Sequence, residues 1–141
     1  MRRAVISLGS NLGDRAGAIS AAIAEISRSA GVVERLSSLI ETESWGFVSH
    51  PFMNQVAVVC TPLSPVKLLD TLQTIERMLG RTEKSGVDEH GRPVYHDREI
   101  DLDILDYDGV RLESPRLTLP HPHIHDRDFI LLLLKELNIN L

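Results

Sequence analysis

The chain has 141 residues, a length that fits one domain with its own hydrophobic core. Its hydrophobic content of 43% and charged content of 25% are typical of a folded globular protein and exclude a disordered one. The net charge of −5 argues against general nucleic-acid binding through a basic surface.

The sequence of the first half of the chain predicts one helix and three strands. Arg3–Leu8 has the composition of a strand, and the turn-forming residues of Gly9–Asp14 follow it. Apolar residues at helical spacing predict a helix over Asp14–Ser29. Two further strands are predicted at Val32–Ile40 and Phe52–Thr61, on either side of an irregular segment.

The second half begins with a helix and a long polar segment. Ser64 as the N-cap and Pro65 at the first helical position predict a helix that ends at Gly80. The polar region Arg81–Arg98 has no clear period, and a loop of this length in a compact domain is usually functional or mobile. A strand is predicted over Glu99–Leu105.

Three predictions concern the end of the chain. The alternation of carboxylate and aliphatic residues breaks at Asp106, where we expect the strand to bulge or twist. A short strand around Val110–Leu112 is predicted to form a hairpin after the turn at Asp108-Gly109. Asp126 is predicted to cap a last helix over Arg127–Leu137.

The order of these elements predicts the fold class. The order β-α-β-β-α-β, with an added hairpin and C-terminal helix, is that of a ferredoxin-like α+β fold. In this single domain, residues 1–141, the helices would cover one face of an antiparallel sheet. The opposite face is then left free for a site.

Asp101 and Asp103 are the first candidates for such a site. They are separated by one residue on the predicted strand, so both side chains point to the face opposite Leu102. Two carboxylates about 7 Å apart along a strand suit Mg²⁺, which commonly takes one or two carboxylates together with substrate phosphates. The alternative is a solvated acidic strand face, and the motif alone leaves both open.

Two other segments are candidates for phosphate binding. Gly9–Gly13 joins a strand to a helix, but it matches neither known glycine-rich phosphate pattern, and a tight turn explains it better. His121 lies between two prolines, with Arg116 and Arg127 nearby, which favours phosphate recognition. A zinc site made by the three histidines of the 121–125 segment is the alternative, without cysteine partners.

The long loop is rich in positive charge. Its basic residues come directly before the aspartate pair and include Arg81, Lys84, Arg92 and Arg98. In an acidic protein, this concentration favours an active-site lid that neutralises a triphosphate. The alternative is an ordinary solvated loop.

Half of the six aromatic residues cluster around one irregular segment. They are Trp45, Phe47 and Phe52, and Asn54 follows them closely. Aromatic stacking together with an amide that both donates and accepts suits a flat heterocycle. Ordinary core packing is the alternative.

Two features bear on the location of the protein. The one cysteine, Cys60, has no partner for an internal disulfide, which fits a reducing compartment. The apolar segment after Arg2 and Arg3 is too short for a signal peptide, and the run Phe129–Leu134 is too short to span a bilayer. We therefore expect a cytoplasmic protein without a membrane partner.

Taken in order, several segments resemble the 6-hydroxymethyl-7,8-dihydropterin pyrophosphokinase family. The resemblance extends from about Ile6 to Phe129. Its markers are Leu8–Asp14, Phe52–Asn54, Gln73 with Ile75 and Glu76, Gly80-Arg81, Arg98–Ile104, and Arg116–His121 with Arg127 and Phe129. Each marker is modest alone, but their order and spacing together are specific.

The resemblance implies an activity and its cofactors. Members of the family transfer the terminal diphosphate of ATP to the pterin hydroxymethyl oxygen in folate biosynthesis, and they release AMP. Two Mg²⁺ ions would be held by Asp101 and Asp103, with ATP as co-substrate. The partners would be ATP and 6-hydroxymethyl-7,8-dihydropterin alone, and we expect a monomer that binds no nucleic acid.

The resemblance also implies the role of individual residues. The catalytic residues would be Arg81, Arg98, Asp101 and Asp103. The pterin would be bound by Thr42, Ser44, Trp45, Gly46, Phe52, Asn54 and Phe129. ATP would be bound by Gln73, Glu76, Lys84, Arg98, Ile104, Arg116, Thr118, His121 and Arg127.

The chain departs from the family pattern just before the acidic strand. Tyr95-His96-Asp97-Arg98 stands where the family commonly has Trp-Gly-Pro-Arg, and Asp97 places further negative charge near the expected metals.

Two other classes of protein remain as alternatives. A glycosyltransferase would use Asp-x-Asp for a metal-bound nucleotide sugar, but the chain is short for it. A ferredoxin-like nucleic-acid binder is disfavoured by the net charge.

Overall fold

A five-stranded antiparallel sheet forms the centre of the fold. The computed structural model describes residues 1–43, 51–80 and 100–141, and the backbone of 86–87 and 93–94. The strands are β1 Arg2–Ser10, β2 Val32–Leu36, β3 Ile40–Thr42, β4 Phe52–Thr61, β5 Gly86–Val87, β6 Pro93–Val94, β7 Asp101–Tyr107, β8 Leu112–Glu113 and β9 Thr118–Leu119. In the central sheet the order is β2-β4-β1-β7, and β3 also pairs with β4. This confirms the predicted α+β class.

The first two helices each begin after a capping side chain: Ser64, as predicted, and Asp14, which the sequence places as the first helical residue instead. Helix α1 covers Arg15–Ser29, and the Asp14 carboxylate before it accepts a hydrogen bond from Gly17 N at 3.0 Å. Helix α2 covers Pro65–Met78, with Ser64 Oγ accepting from Lys67 N at 3.4 Å. Both caps satisfy N–H groups that a helix leaves without an internal partner.

The third helix begins later than predicted. Helix α3 covers Asp128–Glu136, so the prediction that Asp126 caps it is wrong. The Asp126 carboxylate lies instead 3.1 Å from His123 Nδ1, within the turn that precedes the helix. Within the described parts of the chain, no helix has the length and apolar character needed to cross a membrane.

The sheet has a hydrophobic cluster on each face. Helices α1 and α2 pack on one face, over a cluster that includes Ile6, Leu8, Leu102 and Ile104. Helix α3 packs on the other, over a cluster that includes Val5, Val56, Val58 and Leu105. The face opposite α1 and α2 is therefore only partly free. Its open part lies toward the end of β1 that carries Gly9.

The long strand predicted at Val32–Ile40 is two strands in the structure. Ser37 separates β2 from β3, and its side chain is almost fully buried. Val56 N donates to Ser37 Oγ at 2.8 Å, while Ser37 N donates to Val56 O at 2.9 Å. The serine hydroxyl thus takes the place of a backbone acceptor in the ladder, and the strand is interrupted there.

The predicted hairpin pairs differently from the expectation. Asp108 and Gly109 form a turn in which both residues have positive φ. The residues that follow this turn do not pair with β7. Strand β8 pairs with β9 in a separate two-stranded sheet, with Leu112 opposite Leu119. His121 N then donates to Leu105 O at 2.8 Å, so the segment after β9 contacts the edge strand β7.

Candidate active site

One row of residues crosses three strands on the partly free face. Gly9 of β1 is opposite Asn54 of β4 on one side and opposite Asp101 of β7 on the other. Residues directly opposite each other in antiparallel strands point to the same face. With strands about 4.8 Å apart, the Cα atoms of Asn54 and Asp101 are separated by roughly 10 Å. The next row has Ser7 between Val56 and Asp103.

Gly9 leaves a gap in the middle of this row. It lies within β1, so the expectation that it belongs to a tight turn is wrong. A Cβ atom at this position would lie 3.2 Å from Asn54 Oδ1 and 3.5 Å from Phe52 Cδ1. The glycine therefore keeps open the space beside the Asn54 amide and the Phe52 ring.

The Asn54 amide is held in a fixed orientation. Its side chain is almost buried, at 5% exposure, and Nδ2 donates to Thr42 Oγ1 at 2.7 Å. Thr42 is opposite Phe52 in the β3–β4 pair. The structure thus brings together three residues that the sequence predicts to bind a heterocycle. The amide has a second N–H and a carbonyl oxygen with which to bind such a ligand.

Asp101 and Asp103 point to this face as predicted. Both are partly buried, while Leu102 and Ile104 between and after them are buried in the opposite cluster. The pairing of β7 with β1 shifts between Val5 and Ile6, which leaves Leu105 as the extra residue of a bulge. The predicted bulge before Asp106 is therefore confirmed.

Arg127 supplies positive charge beside the aspartate pair. Its Nη1 lies 3.9 Å from Asp103 Oδ2, and the two side chains are 16% and 25% exposed. The low exposure of both side chains makes this electrostatic interaction stronger than that of a solvated surface pair at the same distance. An anionic ligand at this position would therefore meet both a guanidinium and the carboxylates.

Glu76 of α2 supports the strand that carries the aspartates. Its side chain is 2% exposed, and Oε2 accepts from Leu102 N at 2.8 Å. Because β7 is an edge strand among the described strands of the sheet, this carboxylate satisfies a backbone N–H that faces none of those strands on that side. The bond holds in place the residue between Asp101 and Asp103. The predicted contact of Glu76 with ATP stays a prediction.

Two residues predicted to bind ATP lie together on an exposed surface. Arg116 Nη2 donates to Gln73 Oε1 at 3.3 Å and forms an ion pair with Asp70. Both charged side chains are about half exposed, so this pair contributes little to stability. The sequence does not indicate the role of Asp70, because nothing in its spacing on α2 shows that it would reach Arg116.

His121 is neutral at neutral pH in this environment. Burial lowers its pKa from 6.5 to about 4, the positive charges of Arg127 and His123 act in the same direction, and Asp101 opposes them. His123 N donates to His121 Nδ1 at 3.1 Å. Because Nδ1 accepts, the proton of the neutral ring is on Nε2, which can donate to a ligand.

We expect His121→Gln to make stability less dependent on pH between about 4 and 6.5. In this window the unfolded chain binds more protons than the folded chain, so wild-type stability falls as the pH drops. One proton corresponds to about 1.4 kcal/mol per pH unit. Urea unfolding at pH 4.5, 5.5 and 6.5 measures the slope. His125→Gln, at an exposed position, is the control, and an unchanged slope in His121→Gln would contradict the assignment.

The remaining residues that are predicted to form the site fall into three groups. Phe129 is half-buried against the cluster on the aspartate-bearing face, and Thr118 is half-buried in β9. The side chain of Ile104 packs in the cluster under α1 and α2, so only its backbone is left for the predicted ATP contact. Six predicted residues lie outside the described residues, as does most of the predicted lid over 81–98: Ser44, Trp45, Gly46, Arg81, Lys84 and Arg98.

Fold and site together define an α+β protein with an amide, an aspartate pair and phosphate-suited His and Arg side chains on one sheet face. The profile of the 7,8-dihydro-6-hydroxymethylpterin-pyrophosphokinase (HPPK) family matches residues 5–139. A 2-amino-4-hydroxy-6-hydroxymethyldihydropteridine pyrophosphokinase of Porphyromonas gingivalis is 46% identical over 133 residues, which are 93% of this chain and 87% of that one. The protein of the same name from Bacillus subtilis is 36% identical over 95% of this chain and 77% of that one.

Solved structures agree on the fold. A Plasmodium falciparum HPPK-DHPS structure superposes with a TM-score of 0.73 at 17% identity, over 96% of this chain and 41% of that chain. This chain belongs to the 7,8-dihydro-6-hydroxymethylpterin-pyrophosphokinase family. It is a pyrophosphokinase of folate biosynthesis, and the glycosyltransferase and nucleic-acid-binder alternatives are thereby set aside.

Proposed function

We propose that this chain transfers diphosphate from ATP to the hydroxymethyl group of 6-hydroxymethyl-7,8-dihydropterin on the aspartate-bearing face. The observation that carries the proposal is the row of Asn54, Gly9 and Asp101. An amide suited to a heterocycle and a carboxylate suited to a cation stand on one face, about 10 Å apart. The glycine between them leaves room for the substrate.

The pterin would lie over Gly9. Asn54 would bind the edge of the heterocycle through Oδ1 and its second amide hydrogen, since Thr42 accepts the first. Phe52 borders the space over Gly9, and Phe129 lies on the same sheet face. Stacking of the flat ring between these aromatic side chains would add dispersion and exclude water. Thr42, Ser44, Trp45 and Gly46 are proposed to complete the pterin contacts.

Asp101 and Asp103 are proposed to hold Mg²⁺, two ions in all. Within the described parts of the chain, no three His, Cys, Asp or Glu side chains form a cluster able to hold a metal ion by themselves. Two carboxylates on one face fit a Mg²⁺ that takes its other ligands from phosphates and water. When bound, Mg²⁺ would neutralise the triphosphate and orient it.

The phosphates would lie near His121 and Arg127. His121 offers an Nε2–H donor, and Arg127 brings a planar guanidinium beside Asp103. Arg116 and Gln73, already in contact, would bind ATP further along α2. Glu76, Lys84, Ile104 and Thr118 are proposed as further ATP contacts, with Arg81 and Arg98 as catalytic residues.

The proposed reaction exchanges one bond to phosphorus for another. The hydroxymethyl oxygen of the pterin attacks the β-phosphorus of ATP, and its proton is released. The bond from the β-phosphorus to the oxygen that bridges it to the α-phosphate breaks, and AMP leaves with that oxygen. The chain supplies orientation and electrostatic stabilisation rather than a nucleophile of its own.

The test follows the adenine nucleotide that is formed. The protein is mixed with the dihydropterin, ATP and Mg²⁺, and products are separated by chromatography. We expect AMP and the pterin diphosphate in equal amounts, and no AMP when EDTA replaces Mg²⁺. ADP as the product would show transfer of a single phosphoryl group, and it would contradict the proposal.

We further propose that the chain acts as a single cytoplasmic domain and as a monomer. The family match over residues 5–139 supports one domain. The single cysteine fits a reducing compartment. Light scattering on a sizing column measures the oligomeric state directly.

A further inference from the structure

Arg15 bridges two segments that border the proposed pterin site. It is the first residue of α1. Its Nη1 donates to Pro51 O at 2.8 Å, and its Nη2 donates to Glu41 Oε2 at 2.8 Å. Glu41 belongs to β3, and Pro51 directly precedes β4. One guanidinium therefore ties the end of one strand to the beginning of the next.

The two anchored residues are immediate neighbours of proposed pterin ligands. Glu41 precedes Thr42, whose hydroxyl accepts from Asn54, and Pro51 precedes Phe52. Thr42 and Phe52 are in turn opposite each other in the sheet. A displacement of either anchor would move a residue that borders the space over Gly9.

Strand β3 is held by a short pairing with β4, by the packing of Ile40 against the cluster under α3, and by the hydrogen bond from Asn54 to Thr42. It is three residues long, and its register with β4 consists of three residue pairs. Among the described residues, no strand other than β4 pairs with it. Because this pairing is so short, the side-chain contact at Glu41 adds a further restraint on where Thr42 lies.

We infer that Arg15 is a positioning residue for pterin binding, an inference that rests on the proposed function. The guanidinium does not contact the ligand; it fixes the relative place of Thr42 and Phe52. Arginine suits this role because its planar group directs donors toward two acceptors at once, whereas a lysine ammonium acts as a point charge. The partly buried side chain, 28% exposed, limits competition from water.

Arg15→Ala tests the inference by separating the two substrates. We expect the KM for the pterin to rise about three- to tenfold, the change that loss of one or two charged hydrogen bonds produces. The KM for ATP should stay within about twofold. Arg15→Lys should fall between the wild type and Arg15→Ala. Glu41→Gln should give a smaller rise, and the double variant should be less than additive.

Arg3→Ala is the matched control. Arg3 also pairs with a carboxylate of a strand, Glu34 of β2 at 3.2 Å, but it lies at the end of β1 remote from Gly9. Its removal should leave both KM values unchanged. Equal changes in the two KM values of Arg15→Ala, or a lowered Tm with unchanged KM values, would overturn the inference and assign Arg15 a structural role alone.

A direct binding measurement keeps this test separate from the test of the reaction. Titration calorimetry with the dihydropterin measures its Kd without turnover. If the wild type binds the pterin but forms no AMP, the proposed function fails, while a weaker Kd in Arg15→Ala still supports the positioning role. An unchanged Kd in that variant overturns the inference whatever the activity of the wild type.

Discussion

Replacing Asp101 by Asn is expected to lower the rate of diphosphate transfer by about 10²- to 10³-fold, the cost of losing one well-placed electrostatic group. The amide keeps the shape of the side chain but removes the negative charge that would bind Mg²⁺. Asp103→Asn should have a comparable effect, and it also removes the charge beside Arg127. The measurement is kcat with saturating ATP and pterin over a series of Mg²⁺ concentrations.

Asp106→Asn is the control for this comparison. Asp106 lies on the same strand, beyond the bulge, and its carboxylate accepts from Gly109 N at 3.3 Å in the turn. It is half-buried like Asp101 and Asp103. We expect its removal to leave kcat unchanged. If the three variants lose activity equally, the effect of charge is general, and the aspartate pair is not the metal site.

Removing the Glu76 carboxylate is expected to affect stability and catalysis together. Glu76→Ala takes away the acceptor of the buried Leu102 N–H, which should cost about 1–3 kcal/mol of unfolding free energy. It also frees the residue between the two aspartates, and we expect kcat to fall about 10- to 100-fold, as for other groups that orient metal ligands. Urea unfolding and steady-state kinetics measure the two effects.

Glu76→Gln separates orientation from charge. Its amide oxygen can still accept from Leu102 N, so most of the stability should be kept. If kcat is kept as well, the carboxylate acts by holding β7. If kcat is lost while stability is kept, the negative charge itself is required. Glu113→Ala, at an exposed position of β8, should change neither quantity, and unchanged stability in Glu76→Ala would contradict the buried hydrogen bond.

The sequence predicts those parts of the fold that depend on neighbours in the chain. Ser64 caps its helix, as predicted, because its side chain reaches an N–H three residues on. Asp101 and Asp103 face away from the cluster under α1 and α2 because alternation is a property of any strand. The broken alternation at Asp106 marks the bulge for the same reason.

The errors come from side-chain and strand contacts that compete with the predicted ones. Ser37 ends β2 because its hydroxyl bonds to Val56, 19 residues later. Strand β8 pairs with β9 rather than with β7, a choice between two partners that local composition does not make. The error at Asp126 is local, because its carboxylate pairs with His123, three residues before it, rather than capping α3.

The candidate site likewise has one part that the sequence indicates and another that it does not. The residue types at Asn54, Asp101 and His121, each in its local segment, are enough to indicate heterocycle, cation and phosphate binding. Their common row with Gly9 depends on the register of three strands. The contact of Arg15 with Pro51 joins residues 36 apart, and no spacing in the sequence indicates it.

The gap at Gly9 has a thermodynamic consequence for the unliganded protein. A glycine inside a strand loses more conformational entropy on folding than an alanine would, at a cost of about 0.5–1 kcal/mol. It also gives its neighbours nothing to pack against on the open face. A ligand seated over Gly9 would make those missing contacts, and ligand binding to the native state alone raises its stability by mass action. The free enzyme therefore leaves contacts unmade on this face of the sheet, and the pterin would supply them.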